Sequence, residues 1–174
     1  MKSAQNQMGT AHLESKGVKN LIKSFFGKII QYFAMTRLPV GTRIRCGLER
    51  LRGVKIGKNV FLSGGNELDR VRPDLIKIDD DVSISGGVTI LTHSNPTLPL
   101  RNILGESYHK IAPVHIKKGA WIAVNVIILP GVTIGENSIV SANSVVMNDV
   151  PDHTIVGVLP ARFMKKIKPR NDIS

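Results

Sequence analysis

From Ile116 onward an apolar residue returns at every sixth position: Ile116, Ile122, Ile128, Ile134, Val140 and Val146. In register the stretch reads IKKGAW-IAVNVI-ILPGVT-IGENSI-VSANSV-VMNDVP. A helix repeats its buried face roughly every 3.6 residues and a half-buried strand every second residue, so neither alone gives a beat of six. Short flat strands stacked coil upon coil do, with three hexads to a turn. The spacing predicts an all-β chain wound as a parallel β-helix. Small or apolar residues recur four places after each leader, at Ala120, Val126, Val132, Ser138, Ser144 and Val150. These are expected to face the same narrow interior. Gly57, Gly87, Gly131 and Gly135 fall where tight corners are needed. Asn59 and Asn137 are further corner residues, because Asn tolerates left-handed backbone angles.

Upstream the beat begins at Ile56 and Leu62, in IGKNVF-LSGG, and breaks over an expected excursion at residues 66–75. It resumes at Ile78, Ile84 and Ile90, in IDDDVS-ISGGVT-ILTH, and breaks again over residues 94–113. The β-helix is thus expected over residues 54–152. Residues 153–174 would form a covering segment for its far end and a basic tail. Residues 1–15 are polar and aperiodic, as in a disordered tail. Residues 16–53 form a basic segment in which Val18, Leu21, Ile22, Phe25, Phe26, Ile29, Ile30 and Phe33 recur at helical spacings, with Lys19, Lys23 and Lys28 between them. A short amphipathic helix of this kind either caps the prism or lies in a membrane interface. Pro39 and Gly41 end it, and a short basic stretch through Leu51 follows.

A chain of 174 residues with 5% aromatics fits one domain whose core is built from Ile, Val and Leu. Cys46 is the single cysteine, which excludes an intramolecular disulfide and suits a reducing compartment. The start, MKSAQNQMGT, lacks a secretory apolar region, and no apolar run is long enough to span a bilayer. A cytoplasmic protein is expected, with the inner membrane face as an alternative station. The net charge of +11 is concentrated in residues 16–58 and again at Arg162, Lys165, Lys166, Lys168 and Arg170. Basic surfaces attract nucleic acid, anionic lipid or phosphorylated ligands. Nucleic acid is the weakest of these, since the aromatic interleaving of a single-strand platform is missing.

Residues 121–167, WIAVNVIILPGVTIGENSIVSANSVVMNDVPDHTIVGVLPARFMKKI, resemble the C-terminal half of hexapeptide-repeat acyltransferases. The nearest group is the maltose, galactoside and nodulation acetyltransferases with their polysaccharide O-acetyltransferase relatives. RPDLIKIDDDVSISGGVTILTHSN resembles the polysaccharide-modifying members, in which this coil ends in a Thr-His pair. The resemblance covers about residues 50–168. It implies a left-handed β-helix, a homotrimer, and acetyl-CoA bound as acyl donor in clefts between subunits. The implied reaction is O-acetyl transfer to a saccharide or surface-polysaccharide precursor. N-acyl transfer to an amino sugar nucleotide and a noncatalytic trimeric scaffold are the rivals.

His93 is the catalytic candidate. It ends ILTH where the chain leaves the prism on its longest excursion, and a neutral imidazole is a suitable general base for a hydroxyl attacking a thioester. Its alternative is a loop histidine with no role. His93, His109 and His115 pose the question of a metal site. The six-residue gap between the last two does not stack one above the other, and no metal is expected. For the coenzyme, the resemblance points to Trp121 and Ala123, the latter where the family usually has Gly. It points also to Ala142, in S-A-N where G-A-G is usual, and to Met147 and Asn148, where Thr-Lys is usual. Arg162 and Lys165, with Lys166, are candidates to replace the missing cation near the coenzyme phosphates. Trp121 reads equally as a packing residue, and the lysines as solubilising charge. Asn66, Asp69 and Asn95 flank the excursions and are candidates for the saccharide. Asp69 is also a candidate to orient His93 across a subunit interface.

Overall fold

The computed structural model describes residues 41–105 and 109–168, together with Ile29. Residues 18–35, apart from Ile29, lie outside the described residues, and so does the disordered tail expected at 1–15. The hexads build a three-sided prism of parallel strands. The first face holds β1 (Lys55–Ile56), β4 (Ile76–Ile78), β7 (Val114–Ile116) and β10 (Thr133–Ile134). The second holds β2 (Phe61–Leu62), β5 (Ser83–Ile84), β8 (Trp121–Ile122), β11 (Ile139–Val140), β13 (Thr154–Gly157) and β14 (Arg162–Lys166). The third holds β3 (Glu67–Leu68), β6 (Thr89–Ile90), β9 (Ile127–Ile128) and β12 (Val145–Val146).

Leaders stack on leaders. Ile56, Ile78, Ile116 and Ile134 are in register on the first face, and Leu62, Ile84, Ile122, Val140 and Val156 on the second. Nearly every leader and the residue four places on is sealed from solvent, including Ile122, Ile128, Ala120, Val126, Ser138 and Ser144. Branched aliphatics suit this narrow interior, where stacked side chains of one shape exclude water from every layer.

The expected excursion at residues 66–75 is corrected at its start. Leu68 is a buried leader paired with Ile90, so the first coil is complete and the excursion follows Asp69. Asn66, polar in a series of apolar residues, reads as the break in sequence. In the fold it takes the inward position four places after Leu62. Its Nδ2 donates to the Ser63 carbonyl at 3.0 Å and its Oδ1 accepts the Val88 N–H at 2.9 Å. A satisfied amide is tolerated where an unpaired one is not. Among the expected corner residues, Asn59, Gly87, Gly131 and Asn137 have positive φ. Gly57 and Gly135 do not, and owe their identity to crowding.

The open end of a coil exposes carbonyls with no neighbouring strand to satisfy them. Here residues 42–52 of the basic segment expected over residues 16–53 form helix α1 (Thr42–Arg52), terminated by Gly53 at φ 110°. Its side chains donate to the first coil. The Thr42 hydroxyl reaches the Leu62 carbonyl and the Cys46 thiol the Val60 carbonyl. Arg50 donates to Ile56 and Gly57, and Arg52 to Leu68 and Asp69. Part of the basic charge of this segment is thus spoken for by the backbone it covers. At the far end acceptors are supplied instead. The Asp149 carboxylate takes the Thr133 N–H, and the Asp152 carboxylate the Glu136 N–H. The hairpin of β13 and antiparallel β14 completes that end of the second face.

A Cβ at Gly135 would sit 2.4 Å from both the Pro151 carbonyl carbon and the Asp152 nitrogen. These are backbone atoms that cannot swing aside. Gly135→Ala is expected to cost about 1–3 kcal/mol through this overpacking, measured as a lowered urea midpoint with an unchanged m-value.

Candidate active site

Asp69 and His93 meet at the edge between the third and first faces. Each follows a third-face strand, β3 and β6 respectively, and the pairing of Leu68 with Ile90 brings the two onto the same edge in adjacent coils, with His93 two residues beyond the position level with Asp69. Asp69 Oδ2 lies 2.6 Å from His93 Nδ1 and accepts the Thr92 N–H at 2.7 Å. Its Oδ1 accepts the N–H groups of Val71 at 2.8 Å and Arg72 at 3.0 Å. The Asp69 residue is 1% exposed. Burial alone would raise its pKa. The backbone N–H groups of Arg72 and Thr92, the His93 imidazole and the Val71 N–H together hold it far below the usual carboxylate range.

The ionised carboxylate can only accept, so Nδ1 of His93 carries a proton, and in the neutral imidazole the lone pair is then on Nε2. While the Asp69 side chain is sealed, the His93 side chain is about a quarter exposed (26%). The neck of the long excursion fixes the backbone around it. His93 bridges Ile111 in antiparallel sense, the Ala112 N–H donates to the Thr92 carbonyl, and the Ser94 N–H to the Lys110 carbonyl. Beyond the neck lies the short helix α2 (Leu98–Leu104), with Leu98, Leu100, Ile103 and Leu104 exposed.

The depressed Asp69 pKa gives a sign for the acid response. The carboxylate's contribution to stability is complete above the ordinary carboxylate range and is lost as pH falls through that range toward the folded value. Urea midpoints of the wild type are therefore expected to fall between pH 5 and pH 3. Those of Asp69→Asn should fall less, by the share this one group supplies.

The other candidate residues separate into three groups. Asn66 and Asp69 are interior, with their polar atoms engaged by the backbone and by His93, so both are corrected as saccharide contacts. The interface-spanning role entertained for Asp69 is corrected too, since its contact with His93 lies within one chain. Asn95 is exposed, two residues beyond His93. Trp121 lies on the outer surface of β8, half exposed at 49% and in register with Ile139. Ala123 and Ala142 follow β8 and β11 along the edge between the second and third faces. Arg162 pairs with Gly157 at the end of that strip, and Lys165 with Ile155. Met147 and Asn148 follow β12 on the other edge, the one that carries His93. One chain thus divides the candidates between two edges.

His115 does point outward from the first face, as its place before Ile116 predicts, with Nε2 2.7 Å from Asp79 Oδ2. Among the described residues no group of His, Cys, Asp and Glu is arranged to hold a metal ion, and no helix is long and apolar enough to cross a membrane. Sequence reasoning missed the contributions of Thr92, Val71 and Arg72, which act through backbone N–H groups that any residue but proline carries. It missed the vertical pairing of Asp69 with His93 because Leu68 was not read as a leader. Recognising that hexad is the signal that would have revealed it.

The bacterial transferase hexapeptide (six repeats) family matches residues 113–148. The chain is 32% identical over 118 residues to a galactoside O-acetyltransferase of Escherichia coli K12, covering 68% of this chain and 56% of that protein. It is 35% identical over 115 residues to one of Lactococcus lactis, covering 64% and 55%. The chain thus spans about half the length of these curated relatives. Among solved structures, a maltose O-acetyltransferase of Clostridium difficile superposes with a TM-score of 0.66 at 25% identity, covering 87% of this chain and 89% of that one. A hexapeptide-repeat-containing acetyltransferase of Vibrio cholerae, complexed with acetyl coenzyme A, gives 0.64 at 25% identity, covering 87% and 91%. With its left-handed parallel β-helix and these relatives, the chain belongs to the hexapeptide-repeat acetyltransferase family.

Proposed function

We propose that this chain moves acetyl from acetyl-CoA to a hydroxyl of a saccharide or surface-polysaccharide precursor, with His93 as general base. The observation that carries the reading is the Asp69–His93 pair, 2.6 Å apart, at the mouth of the longest excursion. His93 Nε2 takes the proton of the acceptor hydroxyl as its oxygen attacks the thioester carbonyl. Collapse of the tetrahedral intermediate breaks the C–S bond. The imidazolium then returns its proton to the departing coenzyme thiolate. The ionised Asp69 holds the ring in the productive tautomer and stabilises the imidazolium while it lasts. A backbone N–H of a neighbouring coil is the donor we assign to the oxyanion.

Splitting the candidates between two edges favours a homotrimer. Trp121, Ala123, Ala142, Arg162 and Lys165 on one copy would face His93, Asn95, Met147 and Asn148 on the next, and one cleft would then hold both sets. The outward ladder of Phe61, Ser83, Trp121, Ile139 and Ile155 on the second face, apolar except at Ser83, supports burial against a partner, since Phe61 and Trp121 are each about half exposed in the single chain. Arg162 and Lys165 supply the positive charge that the coenzyme phosphates require. We place the protein in the cytoplasm, where a thioester donor and the free, buried Cys46 are compatible with a reducing medium. The alternative station at the inner membrane face rests on the sequence of residues 18–35 alone.

The deciding experiment is release of free coenzyme thiol from acetyl-CoA across a panel of saccharides, with amino sugars beside hydroxyl acceptors and sedimentation velocity on the same sample. Acceptor-dependent thiol release by a trimer is the expected result. Release only with amino acceptors would replace O-transfer by N-transfer, and none with any acceptor would remove the enzyme reading.

A further inference from the structure

The end cap and the candidate active site share one residue. Arg52 is the last residue of α1, and its side chain is 3% exposed against a Glu49 side chain that is 2% exposed. Burial pushes the Glu49 pKa up, and the charge and hydrogen bond of Arg52 oppose that rise. Arg52 Nη2 donates to the Leu68 carbonyl at 3.1 Å and to the Asp69 carbonyl at 2.7 Å. Among the described residues no coil lies beneath the first, so these carbonyls depend on α1. The Asp69 N–H, meanwhile, is held by the Ile90 carbonyl of the coil above, at 2.9 Å. The backbone of Asp69 is thus gripped on one side by the prism and on the other by Arg52. Its carboxylate is what holds His93 Nδ1.

We infer that Arg52, held by Glu49, is a positioning residue for the Asp69–His93 pair, so that the basic cap helix sets the geometry of the catalytic imidazole as well as closing the prism. This rests on the reading of His93 as the base. The physical basis is that a hydrogen bond of 2.6 Å tolerates little drift, and small displacements at a reacting group are costly in rate. Arg is suited to the task because its planar fork serves the Glu49 carboxylate and the carbonyls together, which a lysine ammonium cannot do with the same geometry. Arg50 provides an internal comparison. It makes the same kind of cap, to Ile56 and Gly57, but on another edge with no link to His93.

The test compares Arg52→Met, Arg52→Lys and Arg50→Met in the full chain. It uses steady-state kinetics with acetyl-CoA and the best acceptor, and an NMR pH titration of the His93 ring. Arg52→Met is expected to lower kcat at least ~10-fold with little change in KM for acetyl-CoA, and to shift the His93 titration midpoint. Arg52→Lys should fall between it and the wild type. Arg50→Met should lower the urea midpoint while leaving kcat and the imidazole titration alone. If Arg52→Met does not fold, the lysine variant carries the comparison. The inference is overturned if the folded Arg52 variants titrate His93 as the wild type does, or if Arg50→Met alters kcat equally. Because the imidazole titration needs no turnover, it decides the matter even where no acceptor supports acetyl transfer.

Discussion

Replacing His93 by Ala is expected to lower kcat for acetyl transfer by roughly 10²–10⁴-fold, the range a positioned general base contributes, with KM for acetyl-CoA little changed. His93 is the imidazole whose Nδ1 is paired with the buried Asp69 carboxylate, which leaves Nε2 as the nitrogen not engaged by that contact. Removing the ring takes away the proton acceptor and leaves the coil in place, because the inward positions of that turn belong to Val88 and Ile90. The check is steady-state kinetics beside sedimentation velocity and acetyl-CoA titration. Near-native kcat in the variant would sink the general-base mechanism.

Asp69→Asn should be damaging in two measurable ways. The side chain keeps its shape, but one of its oxygens becomes an NH₂ group. If the amide oxygen faces the N–H groups of Val71 and Arg72, the new NH₂ confronts the Thr92 N–H and His93 Nδ1, which are donors in the wild type. An unpaired buried N–H costs about 1–3 kcal/mol, to be read from chemical unfolding at neutral pH. The imidazole escapes the clash by moving its proton to Nε2, which leaves the lone pair on the sheltered nitrogen. A loss in kcat within the same two to four decades is therefore expected, although His93 is intact. Combining the two substitutions should cost little more than His93→Ala alone, since the carboxylate acts through the ring. Additive losses would show that Asp69 contributes to rate by a separate route.

The two substitutions probe different kinds of legibility. His93 could be singled out in the sequence because a family motif, Thr-His, ends a recognisable hexad at the point where the rhythm stops. Asp69 entered as a saccharide candidate beside a presumed loop and as a residue that could orient His93, but across a subunit interface instead of within one chain. Its assignment to the saccharide was wrong because Asn66, an inward-facing amide, hid the hexad that ends at Leu68. A hydropathy pattern registers that Asn66 is polar. It carries no information on whether a backbone carbonyl and N–H stand ready to satisfy the amide. The basic stretch before the prism meets the same limit. Arg50 and Arg52 count as surface charge in composition, yet both donate to carbonyls that exist only because the first coil has an open end.

What the sequence by itself determined was the prism. The leader positions from Ile116 to Val146, the long break before them and the corners at Asn59, Gly87, Gly131 and Asn137 follow from local sterics and burial with a fixed period. Such information is written in every repeat. Tertiary structure alone decided which side chains meet across coils, because residues in vertical contact are separated by whole turns plus whatever excursion intervenes. Asp69 and His93 meet across one such gap, and Arg52 reaches the Asp69 carbonyl from a helix outside the repeats altogether. It also set Trp121, Ala123 and Ala142 on a different edge from His93, Met147 and Asn148. A periodic sequence fixes which residues point inward, but only the stacking register and the placement of the end cap determine which polar groups share an edge.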